Sequence, residues 1–318
     1  MKTNITKRFV LPFLAGLLGI WIFSSFLPKV SIVSAQTDPK TRSEIIPITV
    51  IHDISTAELD IEPESFIPPG VDLSLQPTEG GRGIISNDDR VLMTSDQFPW
   101  STVGRVEGMK ADGDRFNRCT GTLIGMNLVL TNAHCVVDES THEVNYAMWF
   151  QPNLVNGQLQ DASDEAAVVT VAYGTDFRNS ATSHINDWAL LWLDRPLGET
   201  YGTIGWRSPS LSFFQENVET LIMVGYSGDF PTDNPGETAA AHIGCSILDE
   251  SNGIFFHDCD STNGASGGPI FAEVDGSVYL VALHAGARHH PDTNEITANY
   301  AVKMAWLADQ FNIISERE

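Results

Sequence analysis

From about Val91 onward the chain consists of short apolar runs, rich in Val, Ile, Leu, Thr and aromatic residues, separated by clusters of Gly, Asn, Asp and Pro. Runs of four to eight such residues bounded by turn formers predict β-strands. The clearest are 122–124 followed by 128–130, then 167–171, 188–193, 221–224 and 278–283. Only the end reads as a substantial helix, where Val302, Ala305, Trp306, Ala308 and Phe311 place apolar groups three and four positions apart. The expected class is all-β with one closing helix, and no internal repeat is visible.

Ahead of Val91 the pattern changes twice. Lys2, Lys7 and Arg8 precede an apolar run from Phe9 to Leu27, and Val33-Ser34-Ala35 offers small or modest side chains before Gln36. That layout predicts a signal peptide over 1–35, although the run also approaches the length of a membrane anchor. Residues 36–83 are rich in Pro, Ser, Thr and acids and hold neither helical nor alternating periodicity. This predicts a removable pro-segment or flexible leader, with Arg82-Gly83 as an exposed cleavage point. An ordinary spacer would have the same composition.

Charge and cysteines narrow the reading. The 318 residues carry 18 Lys and Arg against 41 Asp and Glu, a formal net charge of -23. Such a chain is a poor partner for nucleic acid or anionic lipid. Export lets thiols oxidise, and Cys119, Cys135, Cys245 and Cys259 permit three pairings. Pairing in sequence order, Cys119 with Cys135 and Cys245 with Cys259, closes two short loops and is the expectation. No Cys-x-x-Cys pair suggests zinc, and His289-His290 before Pro291-Asp292 reads as a solvated turn rather than a metal site. No metal or other cofactor is expected.

Hydrolysis of an amide requires a nucleophile, a base that later acts as acid, a group that orients the base, and donors for the oxyanion. Ser266 lies in Asn263-Gly264-Ala265-Ser266-Gly267-Gly268-Pro269, where glycines permit a tight turn and close approach of a substrate carbonyl. The amides of Gly264 and Ser266 would form the oxyanion hole. His134 follows an apolar strand pattern and sits beside Cys135, so a bridge to Cys119 would fix its backbone. Asp187 stands at the mouth of the apolar run that begins at Trp188. Taken singly, these are a turn serine, a core histidine and a strand-entry cap.

Taken together, they resemble the trypsin and chymotrypsin-like serine proteases. The stretch CTGTLIGMNLVLTNAHC from Cys119 to Cys135 is similar to the family's histidine segment. Asp187-Trp188-Ala189-Leu190-Leu191 and Gly264-Ala265-Ser266-Gly267-Gly268-Pro269 are similar to its aspartate and serine segments, in the family's order. The resemblance runs from about Pro99 to the C-terminal helix. It implies two antiparallel β-barrels, 84–203 and 204–318, the latter with the closing helix, and a monomer acting on protein or peptide substrates. The serine segment also satisfies Gly-x-Ser-x-Gly, but an α/β-hydrolase places its acid and histidine after the serine, and His134 and Asp187 precede it. A catalytically silent member of the family that binds partners remains as an alternative.

For the bond cut, two features oppose each other. Asp260 lies six residues before Ser266, where trypsin-like relatives carry the carboxylate that selects Arg or Lys. His284 resembles the histidine with which glutamyl endopeptidases receive a substrate carboxylate, and Ser261 could add a hydroxyl donor. Asn87-Asp88-Asp89-Arg90 and Gly225-Tyr226-Ser227-Gly228-Asp229 also resemble that group, its bacterial branch in particular. The expectation is therefore cleavage after Glu, with cleavage after Arg or Lys as the alternative. Two departures from the pattern bear on the pocket: Asn263 stands where many glutamyl endopeptidases have glycine, and a bridge of Cys245 with Cys259 has no counterpart in pancreatic-type enzymes.

Overall fold

The computed structural model describes residues 46–57, 59–75, 88–110, 115–138, 141–174, 184–290, 292–293 and 295–311. The expected signal peptide and the Arg82-Gly83 cleavage point lie outside these residues. In chain order the strands are β1 (Thr49–Ile51), β2 (Arg90–Leu92), β3 (Val103–Met109), β4 (Arg115–Gly125), β5 (Leu128–Thr131), β6 (Ala147–Pro152), β7 (Ala166–Tyr173), β8 (Ala189–Leu193), β9 (Leu221–Gly225), β10 (Ala240–Cys245), β11 (Ile247–Ser251), β12 (Ile254–His257), β13 (Pro269–Val274), β14 (Ser277–His289) and β15 (Ile296–Lys303). Three short helices accompany them: α1 (Gly198–Tyr201), α2 (Leu211–Glu216) and α3 (Met304–Gln310). Each run named from the apolar pattern falls within or across one of these strands. Val302, assigned to the closing helix by its spacing, instead lies in β15.

The strands form two sheets. In the first, β7-β6-β3-β4-β5-β8 closes into a six-stranded antiparallel barrel through an additional β7–β8 ladder, and β1 adds in parallel to β7. The second has the order β11-β12-β15-β14-β13-β9-β10-β2 and is antiparallel throughout. Thus β2, which precedes the barrel in sequence, belongs to the second sheet, where Arg90 lies opposite His242. The alternation of strand residues turns Val106, Leu123, Val129, Phe150, Val168 and Leu191 into one core cluster, all with no more than 1% exposure. A larger cluster contains Trp100, Leu130, Trp188 and Leu190 from the first half with Val224, Phe271, Leu280 and Val302 from the second. At about 1.5–3 kcal/mol per fully buried side chain of this size, that shared cluster is the main force joining the two sheets.

Residues 46–57 and 59–75 are docked against the rest of the chain. Beyond the β1 ladder, Phe66 and Thr203 exchange both backbone hydrogen bonds at 2.9 Å, and Trp206 donates its backbone N–H to the Pro63 carbonyl at 3.1 Å. Arg207 reaches Glu64, which also accepts from the Tyr279 hydroxyl at 2.8 Å. Ile61 is buried, and Ile54, Leu59, Val71 and Leu75 pack on the larger core. The segment has no periodicity because it lies as an irregular strap, with backbone bonds to β7 and to the 203–206 connection and a side-chain bond from Tyr279 of the second sheet.

Candidate active site

The first sheet supplies a histidine and an aspartate. β5 ends at Thr131 and the chain turns through a single helical turn, Ala133–Cys135, anchored by the Cys119–Cys135 disulfide. His134 is thereby brought against Asp187, which precedes β8, the strand paired with β5. The His134 Nδ1 lies 2.8 Å from Asp187 Oδ2, and the His134 backbone N–H donates to Asp187 Oδ1 at 3.1 Å. Asn132 donates its side-chain amide to the Asp187 carbonyl at 2.7 Å. Asp187 has no solvent exposure. A buried carboxylate held by two donors fixes the imidazole orientation and favours the tautomer with its proton on Nδ1, leaving Nε2 as a base.

The second sheet supplies the serine, in the turn that enters β13. Gly264 has φ +98°, a conformation that glycine adopts without the cost a side chain would impose. Its carbonyl accepts from the Thr120 hydroxyl at 2.9 Å, and the Ser266 carbonyl accepts from the Thr120 backbone N–H at 2.8 Å. At Gly267 an added Cβ would meet both the Thr120 carbonyl and the Thr131 hydroxyl at 2.2 Å, so only glycine allows the serine turn to sit against the barrel. The amides of Ala265, Gly267 and Gly268 donate to Thr262, His284 and Ala265 carbonyls. Those of Gly264 and Ser266 donate to no acceptor among the described residues. His134, Gly264 and Ser266 line one cleft of about 830 Å³, together with Arg118, Tyr226, Asn263, 285–287 and His289.

Two of the three candidate specificity residues, Asp260 and His284, are buried, and neither lines the cleft. Asp260 is 3% exposed, accepts from the Asp89 backbone N–H at 3.1 Å and lies 3.3 Å from His242 Nδ1. His284 is also buried, and its backbone bonds to Gly267 and Gly268 at 2.9 Å, directly behind the serine turn. Its Nδ1 lies 3.2 Å from Nε2 of His257, a pair the strand pattern left unmarked. Burial pushes the His257 imidazole down to about 3. Burial, then repulsion from His257 and His134, holds His284 well below the ordinary histidine value, so both rings are neutral at pH 7. Ser261 is half-buried. Cys245 and Cys259 form the second disulfide, which fastens β10 to the segment leading to Asp260.

Sequence reasoning also passed over Thr120. Its hydroxyl serves as donor to Gly264 and as acceptor for the Tyr226 N–H at 2.9 Å, and a threonine two positions ahead of the apolar run 122–124 carries no signal of either role.

Residues 93–307 match the sequence model of the family described as Trypsin. The chain belongs to the trypsin family of serine endopeptidases. Among curated relatives, the CLIP domain-containing serine protease B4 of Anopheles gambiae is 22% identical over 67% of this chain and 67% of its own length. Serine protease 23 of Rattus norvegicus is 26% identical over 49% of this chain and 43% of its own length, so the chain spans less than half of that relative. Among solved structures, one titled "Structure of Glu endopeptidase in complex with MPD" aligns with a TM-score of 0.56 at 19% identity, covering 73% of this chain and 98% of the other. A thermostable serine protease, AL20, from an extremophilic microorganism aligns with a TM-score of 0.50 at 16% identity, covering 67% and 96%. The trypsin-family chain therefore has the chymotrypsin-like fold.

Proposed function

We propose that this protein is an exported serine endopeptidase that cuts after Glu, with Ser266 as nucleophile, His134 as general base and acid, and Asp187 as the group that orients His134. The observation that carries the catalytic reading is the 2.8 Å contact of His134 with a fully buried Asp187 in the cleft lined by Ser266. His134 removes the Ser266 proton as the oxygen attacks the scissile carbonyl. Asp187 stabilises the resulting imidazolium, and the proton passes to the leaving amine. The Gly264 and Ser266 amides, which have no internal acceptor among the described residues, stabilise the developing oxyanion. The acyl-enzyme on Ser266 is then hydrolysed by the same groups acting on water.

Preference for Glu is supported by three observations. Asp260, the residue that would favour Arg or Lys, is engaged by Asp89 and His242. His284 immediately precedes the cleft wall 285–287 and is bonded to the serine turn through its backbone. The aligned structure of similar fold is titled as a Glu endopeptidase. The test is reaction of the purified protein with a serine-directed fluorophosphonate, together with digestion of an unbiased peptide mixture. Labelling abolished by Ser266→Ala and cuts after Glu are expected. Absence of labelling and hydrolysis would leave only a silent binding protein, and dominant cuts after Arg or Lys would reverse the choice of His284 over Asp260.

A further inference from the structure

Arg90 is 1% exposed, although it carries a full charge at any physiological pH. A buried guanidinium is tolerated only where its donors are satisfied by charge. Here the Nε donates to Asp88 at 2.7 Å and the Nη1 to Asp229 at 2.8 Å, while the Nη2 reaches both carboxylates at 3.1–3.2 Å. The Phe230 ring lies against the guanidinium, 4.9 Å from its carbon. Two of these four bonds form a fork on Asp229, which fixes its position more tightly than a single-contact ion pair could.

Asp229 does not end the chain of contacts. Its Oδ1 accepts from the Thr262 hydroxyl at 2.5 Å, and the Thr262 carbonyl in turn accepts the Ala265 N–H at 3.0 Å. One residue from Asp229, the Gly228 N–H donates to the Asn263 carbonyl at 2.6 Å. Two residues before Thr262, Asp260 receives the backbone N–H of Asp89. The segment Asp88-Asp89-Arg90 therefore holds the loop 260–263 at two points, and that loop leads straight into Gly264. Arg90 hydrogen-bonding also keeps the Asp229 carboxyl below the usual carboxylate range, so the clamp stays charged through mildly acidic pH.

We propose that Arg90 is a positioning residue for catalysis, which through Asp229 and Thr262 fixes the backbone that presents the Gly264 and Ser266 amides to the oxyanion. The proposal rests on the reading of those amides as the oxyanion hole. None of the three side chains lines the cleft, so the link acts on transition-state stabilisation and leaves substrate binding alone. An oxyanion donor displaced by a fraction of an ångström loses much of its effect, because the preorganised geometry carries the catalytic gain.

Thr262 gives the cleanest test, since Thr262→Val cuts the link but leaves the Arg90–Asp229 clamp and the core in place. Steady-state kinetics on a peptide substrate are expected to show kcat lowered by roughly 10-fold or more with KM within about twofold. Thr262→Ser, which keeps the hydroxyl, should restore kcat. Arg90→Lys, which keeps the charge but cannot fork to two carboxylates, should lower kcat at least as far if it folds. An unchanged kcat in Thr262→Val, or a loss confined to KM, overturns the proposal. An inert wild-type protein overturns the protease reading and this inference together, whereas an active wild type with an indifferent Thr262→Val overturns this inference alone.

Discussion

The His257–His284 pair places two imidazoles 3.2 Å apart in a site closed to solvent. Two cations at that distance would repel strongly, so at least one ring is neutral, and desolvation makes both so. In the unfolded chain each ring takes up a proton near pH 6.5. Below that pH the unfolded state binds more protons than the folded state, and stability must fall as pH falls. The stability conferred by the neutral rings is fully present above about 6.5. For His257 it is lost progressively down to about pH 3. Each ring contributes a slope of about 1.4 kcal/mol per pH unit. Urea unfolding of wild type and His257→Asn at pH 7, 6 and 5 should therefore give curves that converge as pH falls, since the variant lacks one of the two slopes. Parallel curves would show that His257 titrates alike in both states.

Among the elements, the strands that position His134, Asp187 and Ser266 were legible because each is a short β-branched or aromatic run with turn formers on both sides. The three site motifs stand at the ends of such runs. Other features were hidden for a physical reason: their partners lie far away in the chain. Asp260 looks like a pocket carboxylate when read six residues before Ser266, yet its partner Asp89 is 171 positions distant. The strap of residues 46–75 was hidden in the same way, because an irregular segment held by backbone bonds leaves no periodic trace. Gly205 offers a measure of how closely the strap is docked. An added Cβ there would meet the Pro63 carbonyl at 2.4 Å and Glu64 and Ser65 backbone atoms at 2.7 Å. Backbone cannot swing aside as a flexible side chain can, so Gly205→Ala is expected to destabilise the chain carrying this segment by about 1–3 kcal/mol. The thermal midpoint would register it. A processed form lacking residues 46–75 would escape the penalty, and an unchanged midpoint in the full chain would mean that the strap is not docked there.

At the scale of the whole molecule, the charge of -23 acts against the proposed substrate class. A peptide presenting Glu approaches a molecule of its own sign, and the repulsion reaches about 30 Å at 10 mM salt but only about 8 Å at 150 mM. Locally the cleft is less hostile, since Arg118 and His289 stand on its lining, but Arg118 is paired with Glu237 at 2.9 Å and so contributes little net field. Long-range repulsion should therefore dominate encounter while the cleft governs orientation. KM for an acidic peptide is expected to fall several-fold between 10 and 150 mM salt, roughly the change in screening over that interval. A peptide that keeps the Glu at the cleavage position but is neutral overall should show little change, and one made basic by flanking Lys residues should show KM rising. If KM for the acidic peptide rose instead, the cationic lining of the cleft would outweigh the whole-molecule charge, and neutralising Arg118 should then abolish the rise.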